Sequence, residues 1–469
     1  MPTSSFTSQA RNIALIVGGA FFMVLLDSAI IATSLPRMAQ SFGIKPVELS
    51  IGISIYLVSV AAFVPLSGWL SDRFGARRIF LISIVLFVIA SLACGMADTL
   101  SGFVVARAFQ GLGGALMTPI GRVIVLNHAP KSELVRAMAY ITWPALTAPV
   151  IGPVLGGFIT TYFSWRWNFW INLPIGLLAW VLVWRVIPPT PPTARRAFDP
   201  LGFVLSAGAL VALLLGLESF AHQWIPIAQS LVLAVVGLIL GIFAIHHLRR
   251  APQPLLDLRT FKVPTFAITS VFAGTYVRLG INATPFLLPL LFQLGFGYTP
   301  LEAGSYVLVY FLGNLGMKSI TTAALRWFGF RNVLVINGVI CGAFVAVCGF
   351  LSPELGKAWI MAILLCAGLT RSMQYTALNT LGFADIPGNL RSSASTLNSM
   401  LMQVAMVLAI AFSVLLLNGS RFLAHRETVA PADFAVAFVA MGLLVAGASL
   451  VFVKLPRDAG AEVSGHDGI

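Results

Sequence analysis

Apolar residues in this chain come in blocks of about 20, too long for an alternating strand pattern and too unbroken for a surface helix. A helix of that length crosses a hydrocarbon layer of about 30 Å. Such blocks lie near 11–33, 48–71, 79–97, 101–127, 136–161, 168–187, 200–218, 226–246, 264–293, 302–325, 332–351, 358–383, 392–418 and 434–453. They predict an all-α polytopic membrane protein of about fourteen helices, with linkers too short for a separate soluble domain. Pro144, Pro149, Pro285 and Pro289 fall inside the blocks, where neighbouring helices re-satisfy the freed carbonyls. The ending DAGAEVSGHDGI predicts a disordered tail. The first block is full length and lacks a small-residue cleavage site, so no cleavable signal peptide is expected.

Composition agrees. Of 469 residues, 58% are hydrophobic and only 10% charged, against about 25% charged in soluble chains. The net charge of +13 alternates with span parity. With the N-terminus in the cytoplasm, inner segments hold about 18 of the 29 basic residues and outer loops about six. This bias predicts cytoplasmic termini and accounts for the charge without a nucleic-acid partner, which would gather it on one folded face. Cys94, Cys341, Cys348 and Cys366 lie in or beside apolar blocks without metal-ligand spacing and read as spectator thiols. No HxxxH or HExxH occurs.

The chain repeats itself. FGARRIFLI (74–82) and FGFRNVLVI (328–336) lie 254 positions apart; Arg107-Ala-Phe-Gln110 and Arg371-Ser-Met-Gln374 lie 264 apart. Two related six-helix halves follow, 1–190 and 251–455, with a two-helix insertion at 191–250 and a tail at 456–469. Parallel halves of this sort are a transporter architecture with substrate near the midplane.

Against this apolar background Asp27 stands out. An ionised carboxylate at mid-helix costs about 2.5–3.5 kcal/mol on insertion scales, so it has a cationic partner or takes up a proton. If the first helix ends near residue 33, Asp27 lies roughly 9 Å below its outer end, and Arg107 lies roughly 9 Å into the fourth helix. The two can pair, and a change in water access and in their distance couples proton uptake to a conformational cycle. Arg107, Gln110, Gly111 and Gly114 share one helix face, the glycines admitting a neighbouring backbone. GLGGAL lacks the ending of a phosphate loop and no Walker motif occurs, so the energy source is an ion gradient and no cofactor is expected. Gly152, Pro153, Gly156 and Gly157 form a small-residue surface in the fifth helix. Arg278, Lys318 and Arg371 lie near mid-span, with Gln374 one turn beyond Arg371, and make a cationic candidate cavity. Equally, those cations can serve carbonyls of broken helices. Arg122 is placed to snorkel near the cytoplasmic end of the fourth helix, and Trp165 and Trp167 to sit in an interfacial belt.

Several stretches together resemble a known family. GWLSDRFGARR (68–78) looks like the loop signature of the major facilitator superfamily, RAFQGLGGALM (107–117) its fourth-helix motif, and APVIGPVLGGF (148–158) its antiporter motif. LLDSAIIATSLP and WRWNFWINLPIG (165–176) resemble the first- and sixth-helix motifs of the fourteen-helix drug:proton antiporters of EmrB/QacA type. Later stretches such as GNLGMKSI look most like the MdtD branch of multidrug exporters. Ala76 and Ala148 depart from the motifs, and the thirteenth span lacks the acid that some relatives carry for dicationic drugs. The resemblance implies a cytoplasmic gate at Gly68, Asp72, Arg73, Gly75, Arg77 and Arg78, and a seal against proton leak at the fifth-helix glycines. Asp27 and Arg107 would couple to protons.

The expected protein is a monomeric inner-membrane exporter of small amphipathic compounds, driven by proton antiport. The lipid bilayer, protons and a small-molecule substrate are its expected partners; a periplasmic adaptor is left open. Export of an endogenous anionic metabolite is the rival within transport, and a non-transporting receptor or scaffold the rival outside it. No nucleophile–base set or metal cluster marks an enzyme.

Overall fold

The computed structural model describes residues 8–44, 49, 51–130, 133–189, 191–192, 197–222, 226–298 and 300–466. They are helical almost throughout, and among them no strand occurs. The first half comprises α1 (Ser8–Phe42), α2 (Ile51–Phe74), α3 (Ala76–Met96), α4 (Leu100–His128), α5 (Leu134–Tyr162) and α6 (Asn172–Val186). Then come α7 (Pro200–His222) and α8 (Ile227–Arg250). The second half comprises α9 (Pro264–Gly295), α10 (Pro300–Gly316), α11 (Lys318–Asn332), α12 (Gly338–Cys348), α13 (Lys357–Ala384), α14 (Arg391–Leu423) and α15 (Pro431–Leu450). Among the described residues, each apolar block of the sequence is helical over most of its length. Among the described residues, eleven stretches are long and apolar enough to cross a membrane. Lipid-facing sides are apolar: Val232, Leu238, Ile242 and Phe243 of α8 stand exposed together, as a bilayer requires and water would penalise.

Two glycines make the inter-helix turns that the repeat announces. Gly75 ends α2 at φ +87°, and Gly329, 254 positions on, bends α11 at φ +70°. Both are left-handed conformations that a Cβ disfavours. The tenth expected span is therefore α10 plus α11 up to Gly329, and the eleventh is the remainder through α12.

Within the first half, α1 packs on α5 and α6, and α2 and α3 pack on α4. Within the second, α9 packs on α14 and α15, α10 on α13, and α12 on α15. Helix α7 bridges the halves: Leu210 and Leu214 pack with Val58 and Ala61 of α2, next to Met400 and Val404 of α14. The two halves also meet through polar contacts near the terminal face, where α1 begins and α15 ends. Ser392 donates to the Gly68 carbonyl at 2.9 Å, and Ser67 and Thr396 share a bond at 3.0 Å. Ser395 donates to the Pro119 carbonyl at 2.8 Å, and Arg391 to the Leu126 carbonyl at 2.8 Å. This face is closed by α14 lying across α2 and α4.

Four expectations are corrected. Helix α1 continues to Phe42 rather than ending near 33, because its last turns find apolar cover: Met38 and Ala39 are buried with Phe103 and Trp165. Trp165 is thus in that cluster, 5% exposed, while Trp167 remains exposed as a belt residue would. Arg122 does not snorkel; it is buried and reaches Ser399 across the interface at 3.4 Å. The tail is not disordered over 456–466. Ala459 and Val463 are buried, Gly460 at φ +71° lies against Phe330 and Leu381, and His466 Nδ1 donates to the Arg326 carbonyl at 2.9 Å.

Candidate functional site: a buried carboxylate and its pseudo-symmetric mate

Asp27 sits in the interior of the first half, 1% exposed. Three side chains donate to it. Arg107 Nη1 meets Oδ2 at 2.7 Å; Gln110 Nε2 and Asn172 Nδ2 each meet Oδ1 at 2.8 Å. The i, i+3 spacing on α4 that puts Arg107 and Gln110 on one face also lets them bond each other, Nη1 to Oε1 at 2.5 Å. Arg107 lies over the Tyr56 ring, 4.4 Å from its centroid, and its Nε donates to the Gly52 carbonyl at 3.3 Å. Asn172 also donates to Ser91 Oγ at 2.8 Å, which donates to the Phe169 carbonyl at 2.9 Å. The Cys94 thiol reaches Gln110 Oε1 at 3.7 Å. The carboxylate thus has a cation and two amides, the partners that make burial of a charge tolerable.

Small residues bring the helices close enough. A Cβ on Gly111 would fall 2.6 Å from the Tyr56 carbonyl oxygen, and one on Gly114 2.8 Å from the Tyr56 hydroxyl. On α5, a Cβ on Gly152 would fall 2.6 Å from Ala29 Cβ, so α5 meets α1 near the helix turn that carries Asp27. Gly156 is buried. Gly157 corrects the expected surface, since a Cβ there would have no neighbour within 4 Å. The side chain of Pro153 lies outside the described residues, as do Lys45, Lys131, Arg195 and Arg196.

Near the end of α2, Gly68 lies under Ser392 and Thr396 of α14. Asp72 is half-buried and Arg73 stacks over Trp69 at 6.0 Å. Arg77 donates to the Trp184 carbonyl, and Arg78 is exposed.

The second half repeats the arginine and its tyrosine neighbour but not the acid. Arg371 Nη2 donates to Asn282 Oδ1 at 3.4 Å and its guanidinium lies 5.8 Å from the Tyr310 ring. Tyr310 is 254 positions from Tyr56 and Asn282 is 255 from Asp27. A neutral amide therefore stands where the first half has its acid. Gln374 corrects the candidate cavity. It is fully buried, accepts from Asn337 at 3.0 Å and donates to the Leu334 carbonyl at 3.0 Å, fastening α13 to the α11–α12 segment instead of facing a cavity. Arg278 serves a broken helix in part. The π-turn at Ile268–Phe272 frees the Thr269 carbonyl, and Arg278 Nη1 takes it at 3.0 Å, with Nη2 on Asn379 and Asn398 at 3.1 and 3.2 Å. Lys318, at the break between α10 and α11, donates to Thr376 Oγ1.

Asn172, Ser91 and Tyr56 escaped the sequence reading. Asn172 was within reach, as one of two asparagines interrupting the apolar WRWNFWINLPIG. Among the described residues, no group of three His, Cys, Asp or Glu side chains is placed to hold a metal.

The comparisons with known proteins agree with this architecture. The "Putative multidrug resistance protein MdtD" of Enterobacter sp. (strain 638) is 35% identical over 455 residues, covering 96% of this chain and 95% of that protein. Its namesake in Escherichia fergusonii is 34% identical over 448 residues, covering 94% of each. Among solved structures, the proton:xylose symporter XylE superposes with a TM-score of 0.68 at 15% identity, covering 98% of this chain and 99% of that one. The human organic anion transporter MFSD10 (TETRAN) superposes with a TM-score of 0.66 at 15% identity, over 95% and 99%. At that identity these two show the fold alone. The sequence profile of the Major Facilitator Superfamily matches residues 17–410. The chain belongs to the Major Facilitator Superfamily and is a multi-pass membrane transporter, not an enzyme.

Proposed function

We propose that this transporter is an exporter that exchanges protons for small amphipathic compounds, with both termini in the cytoplasm and a proton gradient as its energy source. The observation that carries the reading is Asp27, a carboxylate buried to 1% exposure and held by Arg107, Gln110 and Asn172. Protonation removes its charge and with it the ion pair to Arg107, so α1 and α4 are held differently in the two protonation states. Rocking of the halves about the α14 contacts with α2 and α4 then exposes the site to one side at a time. The basic-residue bias supports placing the closed face inward. The names of the MdtD relatives support drugs as cargo. A monomer suffices, because both halves of the site are in one chain, and no adaptor is assigned.

The test is efflux from proteoliposomes with and without a pH gradient. Asp27→Asn keeps size and one acceptor, so the chain inserts and folds; gradient-driven efflux is expected to fall to the protein-free rate. A receptor or scaffold shows no efflux in the wild type either. Equal pumping by Asp27→Asn and wild type overturns the reading.

A further inference from the structure

The second half holds a cation that its own fold leaves underused. Arg371 keeps the position and the tyrosine neighbour of Arg107 but faces Asn282 at 3.4 Å in place of a carboxylate. Its Nε is buried and has no partner. It lies 5.9 Å from the Tyr375 ring. One turn further along α13, Thr376 takes the ammonium of Lys318, which is 6% exposed. Buried Arg278 adds a third charge in the same half, also with an unpartnered Nε. Among the described residues, no carboxylate pairs with any of the three. Arg278 and Lys318 are buried and Arg371 is half-buried; cations so placed within spans, without a counter-ion, are costly unless an anion completes them.

Lys318 also opens outward. It lines a groove of about 630 Å³ between α5 and α11, with Tyr140, Trp143 and Trp327 as walls and Arg326 toward the terminal face. Arg136 lies there too, paired with Glu133 at 3.7 Å. Helix α7 covers the seam between α2 and α14, so this groove lies on a seam that the insertion leaves open. Aromatic walls suit an apolar body, and the lysine at the inner end suits an anionic head.

We propose that the second half binds the anionic group of an amphiphilic substrate at Arg371 and Lys318, and that the substrate enters from the membrane through the groove between α5 and α11. The cargo class is a carboxylate, sulfonate or phosphate monoester on an apolar body. This rests on the exporter reading above and names its substrate.

The test is binding of 8-anilinonaphthalene-1-sulfonate, an anionic amphiphile, and of ethidium, a cationic one, to the full chain in neutral phosphatidylcholine nanodiscs. Asn282→Asp supplies Arg371 with an internal carboxylate at constant volume. It is expected to weaken the sulfonate about tenfold without weakening ethidium, the loss of one charge-assisted contact. Lys318→Gln is expected to do the same. An unchanged sulfonate Kd in Asn282→Asp, or wild type that prefers ethidium, overturns the proposal. Phosphatidylglycerol discs separate the sources. If that lipid displaces the sulfonate and wild-type proteoliposomes do not move the sulfonate, the occupant is a lipid headgroup and the substrate assignment is overturned. Movement of the sulfonate supports it. These affinities need no gradient, so they stand or fall separately from the efflux of Asp27→Asn.

Discussion

At the residue scale, the sharpest difference between the protein and its own repeat is the acid at Asp27. Arg107 and Arg371 both stack on a tyrosine, yet only Arg107 has an acid to neutralise it. The buried pair is held by geometry: Gly111 lets the Tyr56 carbonyl approach, and Tyr56 in turn supports the Arg107 guanidinium. A side chain at 111 has no room, since its Cβ would meet Ser59 Cβ at 2.7 Å as well as the Tyr56 oxygen. Gly111→Val is therefore expected to cost about 1–3 kcal/mol by overpacking, read as a lowered thermal midpoint in detergent. It should lower gradient-driven efflux as well, because α4 moves off α2. An unshifted midpoint shows that the two helices are not in close contact.

At the scale of elements, the inserted pair α7–α8 is fixed by one carboxylate that attracted no notice in the sequence. Asp199 accepts from Gly202 N–H in the first turn of α7 at 2.8 Å, from His247 of α8 at 2.9 Å and from Leu255 N–H beyond α8 at 3.1 Å. Burial pushes its carboxyl up, but these donors outweigh it and hold it below the usual carboxylate range. The sign follows: the stabilisation is present above the ordinary aspartate value of about 4 and is lost as pH falls through the depressed one. Asp199→Ala is expected to cost about 1–2 kcal/mol, as loss of a helix cap does. Measured unfolding should converge with wild type in strong acid; a constant gap down to that range denies the carboxylate this role.

At the scale of the whole molecule, the conformation is set where α14 crosses α2 and α4. Arg391 donates to the Leu126 carbonyl and, at 3.2 Å, to Asn127 Oδ1, a cation at the end of α4 where the helix dipole favours one. Arg391→Gln is expected to shift the population toward the state open at the terminal face by about 1 kcal/mol, roughly fivefold. Distances between spin labels on the ends of α4 and α14 measure it, and an unchanged distribution removes Arg391 from the closure.

The sequence by itself determined the helical class and the apolar blocks, suggested two halves, and offered Arg107 as a partner for Asp27. Those follow from block length, from repeats such as FGARR and FGFRN, and from the insertion cost of a lone acid. Only the tertiary structure brought Asn172, Ser91 and Tyr56 to the carboxylate, turned Gln374 away from the centre and sent Arg122 across the interface. It also folded the tail onto α11 and α13. The physical reason is that hydropathy fixes which segments enter the bilayer, whereas the rotation of each helix about its own axis is decided by which small residues and polar partners meet across helices.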